Sequence, residues 1–308
     1  MFYRPKTKWL TESFDKDIRK VRDESWPKIT IITPSYNQGQ FIEETIQSVL
    51  CQNYPNLEYF IYDGGSNDNT LEVIMKYEEF VDFWVSESDK GQSDAINKGF
   101  VKATGDIVGW LNSDDLLLPG SLVKVANLFK SKGNYNTIFF GEGDYLLEKY
   151  NLCMQNYTAR LSKKHSLSLC DYVIQPSCFW GKNVIDEIGL LSENLHFGFD
   201  WEWFIRAEKA GFKFEFIKDN FSTYRIHKDH KSSSAGDKRT IEIAKVFSMY
   251  NNEDVSLEYM KIHKSGTSRF LRKIGKYLPL GSNVIRWVHW KLFSDKIDFK
   301  SFKAIANM

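Results

Sequence analysis

Apolar runs alternate with helical patterns over the first half of the chain. Four short runs rich in β-branched and aromatic residues predict strands, at residues 29–33, 57–62, 81–86 and 105–111. Between them, apolar residues recur at helical spacing, as in residues 41–50 and 95–101. Strands that alternate with helices form right-handed βαβ units. We therefore predict an α/β fold with a mostly parallel sheet.

Each predicted strand ends in a polar loop. These loops are residues 34–39, 63–70, 89–94 and 112–115. A single loop of this composition is usually only a turn. The carboxyl ends of parallel strands share one sheet edge, however, and that edge is where open α/β sheets bind ligands. Four such loops in succession predict a pocket large enough for a nucleotide.

The fourth loop, Asn112-Ser113-Asp114-Asp115, holds two adjacent acids. Neighbouring carboxylates repel each other unless one is protonated or a cation lies between them. Oxygen ligands of this kind suit Mg²⁺ or Mn²⁺ better than zinc. Ser and Asp are also favoured as helix N-caps. The residues alone leave both interpretations open.

The second half adds a strand at 137–144, a helix at 182–189 that ends at Gly189, and a strand at 212–217. Residues 145–157 are expected to return as a hairpin or an irregular connection. Another helical pattern begins near Asp200, whose ordinary role would be the N-cap.

Composition narrows the class of protein. Lys plus Arg number 41 and Asp plus Glu number 40, a balance that argues against a general nucleic-acid binder. The sequence has no apolar run of the roughly 18–20 residues that span a bilayer, and its amino terminus lacks a signal-peptide pattern. We therefore expect a cytoplasmic location. Four cysteines without metal-ligand spacing indicate reduced thiols.

The tail from Lys261 onward is basic and aromatic, with only Asp295 and Asp298 as acids. This pattern is typical of an interfacial helix on anionic lipid, which would give peripheral contact with the inner face of the cytoplasmic membrane. A helical extension packed on the catalytic domain or on a second subunit would have the same pattern.

Four segments, in this order, resemble the family 2 glycosyltransferases, inverting enzymes of bacterial polysaccharide and glycan biosynthesis. The segments are residues 29–70, 88–115, 175–212 and Tyr224-Arg225-Ile226-His227. The resemblance implies a GT-A fold, which is Rossmann-like, with a mostly parallel central sheet flanked by helices and here a basic helical C-terminal extension. It implies four parts: an arm (1–27), a nucleotide-sugar half (28–118), an acceptor half (119–235) and the extension (236–308).

The resemblance also assigns roles to individual residues. The nucleotide would lie against Pro34, Tyr36, Asn37, Asp63, Lys90, Asp94, Asn112 and Ser113. Mn²⁺ or Mg²⁺ would be held by Asp114, Asp115 and His227, and the acceptor by Gln175, Trp201 and Glu202. The family has a DXD-type motif where this chain has Asn112-Ser113-Asp114. The first acid is missing, which leaves Asp114 as the principal metal ligand.

Asp200 aligns with the expected catalytic base of the family. Glu202 is the nearby rival, although it could instead pair with Arg206 one helical turn later. An inverting transfer needs a base that takes the proton of the acceptor hydroxyl as it attacks. A divalent cation offsets the charge of the departing diphosphate.

The sequence therefore predicts a metal-dependent inverting glycosyltransferase, with a UDP-sugar as donor and a glycan or lipid-linked glycan as acceptor. One alternative is a catalytically silent sugar-nucleotide-binding component of a glycan assembly complex, because the first acid is missing. Another is a nucleotidyltransferase, which would need a glycine-rich basic phosphate loop. Residues 33–41 do not resemble such a loop.

Overall fold

Four parallel strands form the centre of the sheet in this computed structural model, which describes residues 2–3, 22–156, 158–163, 165–228, 231 and 236–265. The strands are β2 (Ile29–Ser35), β3 (Leu57–Asp63), β4 (Phe83–Ser86) and β5 (Ile107–Trp110), in the spatial order β4-β3-β2-β5. Ile29 lies opposite Leu57 on one side and Ile107 on the other. All four predicted strands of the first half are confirmed.

Helices connect these strands. They are α1 (Ile42–Leu50), α2 (Thr70–Met75) and α3 (Gln92–Lys102), with a 3₁₀ turn at Glu78–Phe80. Helix α3 packs closely on β2 because Gly99 has no side chain. A Cβ at that position would lie 2.6 Å from Cγ2 of Ile32. The close packing draws the two elements together beneath the loops at the carboxyl ends of the strands.

Further strands extend the sheet on the β5 side, where antiparallel pairing dominates. They are β1 (Phe2–Tyr3), β6 (Leu116–Leu117), β7 (Thr137–Leu147), β8 (Leu152–Asn156) and β9 (Cys178–Gly181). The order continues β5-β9-β7-β8-β1 with antiparallel pairs throughout. The hairpin expected between residues 145 and 157 is confirmed by the β7–β8 pair.

Strand β10 (Lys213–Ile226) runs parallel to β7 and antiparallel to β6. It is much longer than the predicted strand at 212–217. Its pairing with β7 reaches from Lys213 opposite Thr137 to Ile226 opposite Leu147, so the backbone beyond residue 217 finds its hydrogen-bond partners in the neighbouring strand. Residues 224–226, which belong to a segment of the family resemblance, form the end of this strand.

The remaining helices are α4 (Ser121–Lys132), α5 (Lys182–Ile188), α6 (Phe199–Lys209), α7 (Gly236–Tyr250) and α8 (Glu253–Lys264). Further 3₁₀ turns lie at Glu148–Tyr150, Thr158–Lys163 and Gln175–Ser177. Gly189 ends α5 with a positive φ of 77°, which a glycine adopts without strain.

The described residues fall into two compact units. The first is drawn from residues 1–160, 173–194 and 206–228, and the second from 161–172, 195–205 and 229–308. The predicted division into donor and acceptor halves at residue 118 stays a prediction. In the ranges that the structure describes, no helix is long and apolar enough to cross a bilayer. The tail that we expected to contact a membrane lies almost wholly at 266–308, outside the described residues.

Candidate active site

The first two loops at the sheet edge are joined by hydrogen bonds. The backbone N–H of Asn37 donates to Oγ of Ser66 at 2.7 Å, and that of Gly39 donates to Oδ2 of Asp68 at 2.9 Å. Gly39 leaves room for this contact, since a Cβ would lie 2.0 Å from Oδ1 of Asn69 and 3.0 Å from the backbone nitrogen of Thr70. The loops after β2 and β3 therefore form one connected wall of the candidate site.

Two predicted nucleoside contacts differ in exposure within this wall. Tyr36 is 57% exposed and leaves its ring available to a ligand. Asp63 is buried at the end of β3, and its carboxylate accepts hydrogen bonds from the N–H of Ser66 at 2.8 Å and from Oγ of Ser86 at 2.6 Å. The hydroxyl of Ser66 and the N–H of Gly65 also donate to it. Asp63 therefore shapes the loop, and a base N–H would compete with hydroxyl groups for it.

The third loop lies beside the second. Lys90 donates its backbone N–H to Oδ2 of Asp94 at 3.1 Å, and its Nζ lies 3.3 Å from Oε2 of Glu193. Oδ2 of Asp89 lies 2.7 Å from where a Cβ on Gly64 would be. The carboxylate of Asp89, in the third loop, thus lies in the space that a side chain at Gly64 of the second loop would fill. The sequence did not single out Asp89, because only the fold brings the two loops together.

Side-chain amides hold the fourth loop. Oδ1 of Asn112 accepts a hydrogen bond from Nε2 of Gln92 at 2.7 Å, and its Nδ2 donates to Asp115 at 3.2 Å and to Oε1 of Gln175 at 3.4 Å. Gln175 in turn donates to the carbonyl of Trp110 at 2.8 Å. We predicted Gln175 at the acceptor. In the structure it is buried and supports the loop between β5 and β6.

Asp115 is buried, with one oxygen near the Nδ2 of Asn112 and the other accepting the backbone N–H of Arg225 at 3.0 Å. Burial, with the charge of Asp114, raises the pKa of Asp115 well above its usual value. Each oxygen thus accepts a hydrogen bond from the protein, which gives Asp115 a structural role, and its metal contact stays a prediction. Ser113 beside it is also buried.

Asp114 and His227 are brought together by the fold. Oδ2 of Asp114 lies 3.0 Å from Nε2 of His227, and the ring of Phe41 packs against the imidazole with its centroid 4.5 Å away. His227 directly follows β10, so the end of that strand fixes its position. The two side chains offer one oxygen and one nitrogen donor at the edge of the candidate pocket.

Asp114 and His227 by themselves provide few ligands for a metal ion. Among the residues that the structure describes, no group of three or more His, Cys, Asp or Glu is arranged to hold a metal. Mg²⁺ typically keeps several waters and binds through one or two protein groups together with substrate phosphates. The Asp114 side chain is 18% exposed, so part of the carboxylate faces away from the protein. The residues present therefore fit an ion that is completed by a diphosphate.

Arg225 is a residue of this region that sequence reasoning missed. Its guanidinium is almost fully buried and donates to the carbonyl of Asp114 at 2.9 Å, to Oε2 of Glu148 at 2.7 Å, and to Glu44. Together with its backbone bond to Asp115, it connects α1, β10 and the fourth loop. Its partners are 77 to 181 residues away in sequence, so no local pattern could have indicated this role.

Asp200 belongs to the second unit, in the first turn of α6. Helix α6 begins at Phe199, so Asp200 is not the N-cap that an anonymous aspartate would be. Burial raises the pKa of Asp200, while its hydrogen bond with the N–H of Trp201 and the charges of Lys231 and Arg239 act in the opposite direction. A carboxylate with a raised pKa is a better proton acceptor than an ordinary aspartate, provided that it remains ionised.

The two predicted acceptor contacts beside Asp200 are both buried. Trp201 is 1% exposed, and its indole N–H donates to the carbonyl of Leu167 at 2.8 Å. Glu202 accepts a hydrogen bond from the hydroxyl of Tyr250. Arg206, suggested as the partner of Glu202, donates to the carbonyls of Ile188 and Leu190. These contacts give Trp201 and Glu202 roles in the packing of this unit, and their acceptor contacts stay predictions. They leave Asp200 as the stronger candidate for the base.

Solved structures share this architecture. The S. aureus protein TarS, residues 1–349 in complex with UDP-GlcNAc, superimposes with a TM-score of 0.58 at 15% identity and covers 91% of this chain and 90% of that one. The mannosyltransferase PcManGT from Pyrobaculum calidifontis, in complex with GDP-Man and Mn²⁺, also gives 0.58 at 15% identity, covering 98% and 92%. This chain spans 55% of a longer TarS chain. The fold is therefore that of the GT-A glycosyltransferases.

The sequence comparisons match glycosyltransferases. The model described as "Glycosyl transferase family 2" matches residues 30–174. An uncharacterized glycosyltransferase of Rickettsia typhi is 26% identical over 265 residues, which are 82% of this chain and 80% of the relative. One from Nostoc is 34% identical over 107 residues, 34% of this chain and 33% of that relative. These comparisons support a glycosyltransferase of family 2, on a family model that covers a little under half of the chain.

Proposed function

We propose that the chain is a metal-dependent inverting glycosyltransferase that moves a sugar from a UDP-sugar to a hydroxyl of a glycan or lipid-linked glycan, in bacterial polysaccharide or glycan biosynthesis. The observation that carries the proposal is the contact of Asp114 with His227 at the carboxyl edge of the parallel strands. The TarS complex with UDP-GlcNAc and the PcManGT complex with GDP-Man and Mn²⁺ support a nucleotide-sugar donor and a divalent cation.

On the donor side, the exposed ring of Tyr36 would face the nucleoside, in the wall formed by the loops after β2 and β3. Asn37 contributes to that wall through its own backbone and through its Oδ1, which accepts the N–H of Asn67 at 2.9 Å. Lys90 and Asp94, in the third loop, would lie near the ribose and diphosphate. Asp63 would act chiefly by holding the second loop in shape.

Asp114 and His227 would hold Mn²⁺ or Mg²⁺. The ion would supply positive charge to the departing nucleoside diphosphate. Arg225 would keep the Asp114 backbone in place through its hydrogen bond to the Asp114 carbonyl. Asn112 stands where the family usually has an acid, so the protein contributes a single carboxylate to the ion at this loop.

Asp200 would take the proton of the acceptor hydroxyl as its oxygen attacks the sugar. The raised pKa favours proton uptake, and Lys231 and Arg239 help to keep the group ionised before the reaction. Glu202 is the weaker candidate, since its carboxylate is buried and accepts a hydrogen bond from Tyr250.

The test is a panel of nucleotide sugars incubated with the full chain and either Mn²⁺ or Mg²⁺, with and without chelator. We expect a UDP-sugar to be turned over with release of UDP, and the release to stop when the cation is chelated. Release of pyrophosphate would indicate a nucleotidyltransferase. Turnover that is unaffected by chelation would refute the metal dependence.

A further inference from the structure

Three consecutive backbone N–H groups precede the helix that carries Asp200, and one carboxylate binds all of them. Oε2 of Glu242 accepts the N–H of His196 at 2.8 Å, and Oε1 accepts the N–H groups of Phe197 at 2.5 Å and Gly198 at 2.8 Å. Glu242 lies on α7, 44 to 46 residues further along the chain. The carboxylate therefore fixes the path of the backbone immediately before Asp200.

The same segment packs tightly on α7. A Cβ on Gly198 would lie 3.0 Å from Cδ1 of Ile243 and 3.8 Å from Oε1 of Glu242, so a glycine allows the close approach. Gly198 also accepts the N–H of Glu202 through its carbonyl at 2.9 Å, which starts the hydrogen-bond ladder of α6. The loop that Glu242 holds is thus continuous with the first turn of the helix.

Helix α7 also holds the residues that follow Asp200. The rings of Trp201 and Phe247 meet edge to face with centroids 5.0 Å apart, and Tyr250 donates its hydroxyl to Glu202. Asp200 is therefore flanked on both sides by groups anchored on one helix. The Trp201–Phe247 contact and the Tyr250–Glu202 hydrogen bond hold the first turn of α6 on α7. Glu242 holds the backbone that leads into α6.

We propose that Glu242 is a positioning residue for the catalytic base. The inference rests on the proposed function, because it takes Asp200 as that base. A carboxylate is suited to the task because both oxygens accept hydrogen bonds. A glutamine has one acceptor oxygen, and its amide group would face a backbone N–H with another donor. Glu242→Gln therefore removes at least one of the three bonds at almost unchanged volume.

Glu242 also belongs to the charged surroundings of Asp200. Lys231 is attracted by both Asp200 and Glu242, and its Nζ lies 5.3 Å from the centroid of Phe199 and 5.8 Å from that of Phe197. Arg239, on α7, adds a second positive charge near Asp200. The positive groups are held between two acids and the aromatic rings at the start of α6. Loss of Glu242 would therefore alter the orientation of Asp200 more directly than donor binding.

The experiment compares wild type, Glu242→Gln, Glu242→Ala and the control Asp237→Asn, which neutralises an exposed acid on the same helix. Turnover of the donor identified in the panel gives kcat and KM, and hydrogen exchange reports on the amides of residues 196–198. We expect both Glu242 variants to lose about 10-fold to 100-fold in kcat with an unchanged donor KM, since a small misplacement of a reacting group has effects of this size. Exchange at residues 196–198 should accelerate. The control should match wild type in both measurements.

The variant Asp200→Asn distinguishes failure of the proposed function from failure of the positioning inference. If it turns over donor at the wild-type rate, the assignment of the base is wrong, and so is the proposed reaction path. If it is impaired while Glu242→Gln keeps the wild-type kcat, the positioning inference alone is wrong. A Glu242→Gln protein that loses donor affinity and kcat together, with slowed refolding or a lower melting temperature, would show a purely structural role and also overturn the inference.

Discussion

Two aspartates have different surroundings, and the proposed chemistry uses that difference. Asp114 contacts His227 and is partly exposed, as a group that binds a metal and phosphate needs to be. Asp200 is also only partly buried, but it lies in the first turn of α6 near Lys231 and Arg239, and desolvation of its carboxyl group raises its pKa. At the scale of single residues, the neighbouring groups distinguish the proposed metal ligand from the proposed base.

The most direct test at this scale is Asp200→Asn. The amide keeps the size of the side chain but cannot accept a proton, so transfer should fall by about 10²-fold to 10⁴-fold. Donor binding should be unchanged, because the contacts proposed for the donor lie on other loops. Steady-state kinetics and calorimetric titration with UDP measure the two properties. Wild-type transfer by the variant would exclude Asp200 as the base.

The pH dependence of kcat follows from the same residue. A base must be ionised to act, and a raised pKa means that Asp200 takes up its proton at a higher pH than an ordinary aspartate of pKa about 4. Activity should therefore be complete above the raised pKa and decline as the pH falls through it. The pH profile of kcat measures this limb. Activity that persists undiminished to about pH 4 would contradict the assignment.

Sequence reasoning worked best for residues whose role is local. The acids after β5 and the aspartate at the start of α6 were identified from strand and helix patterns and from the family resemblance. Asp115 and Trp201 show the limit of that reasoning. Both are buried by elements distant in sequence, and their burial could not be predicted. A local sequence pattern does not show whether a residue is buried by a partner that is distant in sequence.

At the scale of elements, β10 links the sheet to the candidate metal pair. Its pairing with β7 continues to Ile226, and this places His227 beside Asp114 and Arg225 beneath the fourth loop. The apolar pattern predicted only the first part of this strand. The rest, around Asp219 and Asn220, is polar, and the pairing contains register shifts there. Pairing with β7 thus extends β10 through residues whose own sequence pattern does not predict a strand.

Arg225 provides the test at this scale. Arg225→Ala would remove the bonds to the Asp114 carbonyl and to the carboxylates of Glu44 and Glu148. We expect the free energy of unfolding to fall by on the order of 3 kcal/mol, because the loss of one partner of a buried ion pair leaves polar groups unsatisfied. Glu44 and Glu148 are each 42% exposed, so water solvates their carboxylates in part. The loss of unfolding free energy should therefore lie at the lower end of the range for buried ion pairs.

Lys124→Met is the matched control for that measurement. Lys124 pairs with Asp219 at 2.7 Å, but both side chains are largely exposed, so the change should cost less than about 1 kcal/mol. Urea denaturation gives both free energies. Equal stabilities for the two variants would show that Arg225 does not organise the loop as its contacts indicate.

At the scale of the whole molecule, the four parallel strands with their connecting helices could be predicted from alternation alone. On the β5 side, β7 and its hairpin with β8 could be predicted as well, whereas β6 and β9 could not, since they are too short to show a period. The proposed donor groups lie in one unit and the proposed base, with its supporting helix α7, in the other. The family model matches residues 30–174, so Asp200 and helix α7 lie beyond the matched segment.

Metal-dependent binding of UDP tests the central claim most directly, because it requires no acceptor. Calorimetric titration of the full chain should show tighter binding of UDP in Mn²⁺ than in chelator. In Asp114→Ala the two conditions should give the same affinity, while Asp186→Ala, which removes an exposed acid on α5, should behave as wild type. Equal affinity of the wild type with and without Mn²⁺, or retained metal dependence in Asp114→Ala, would contradict the account.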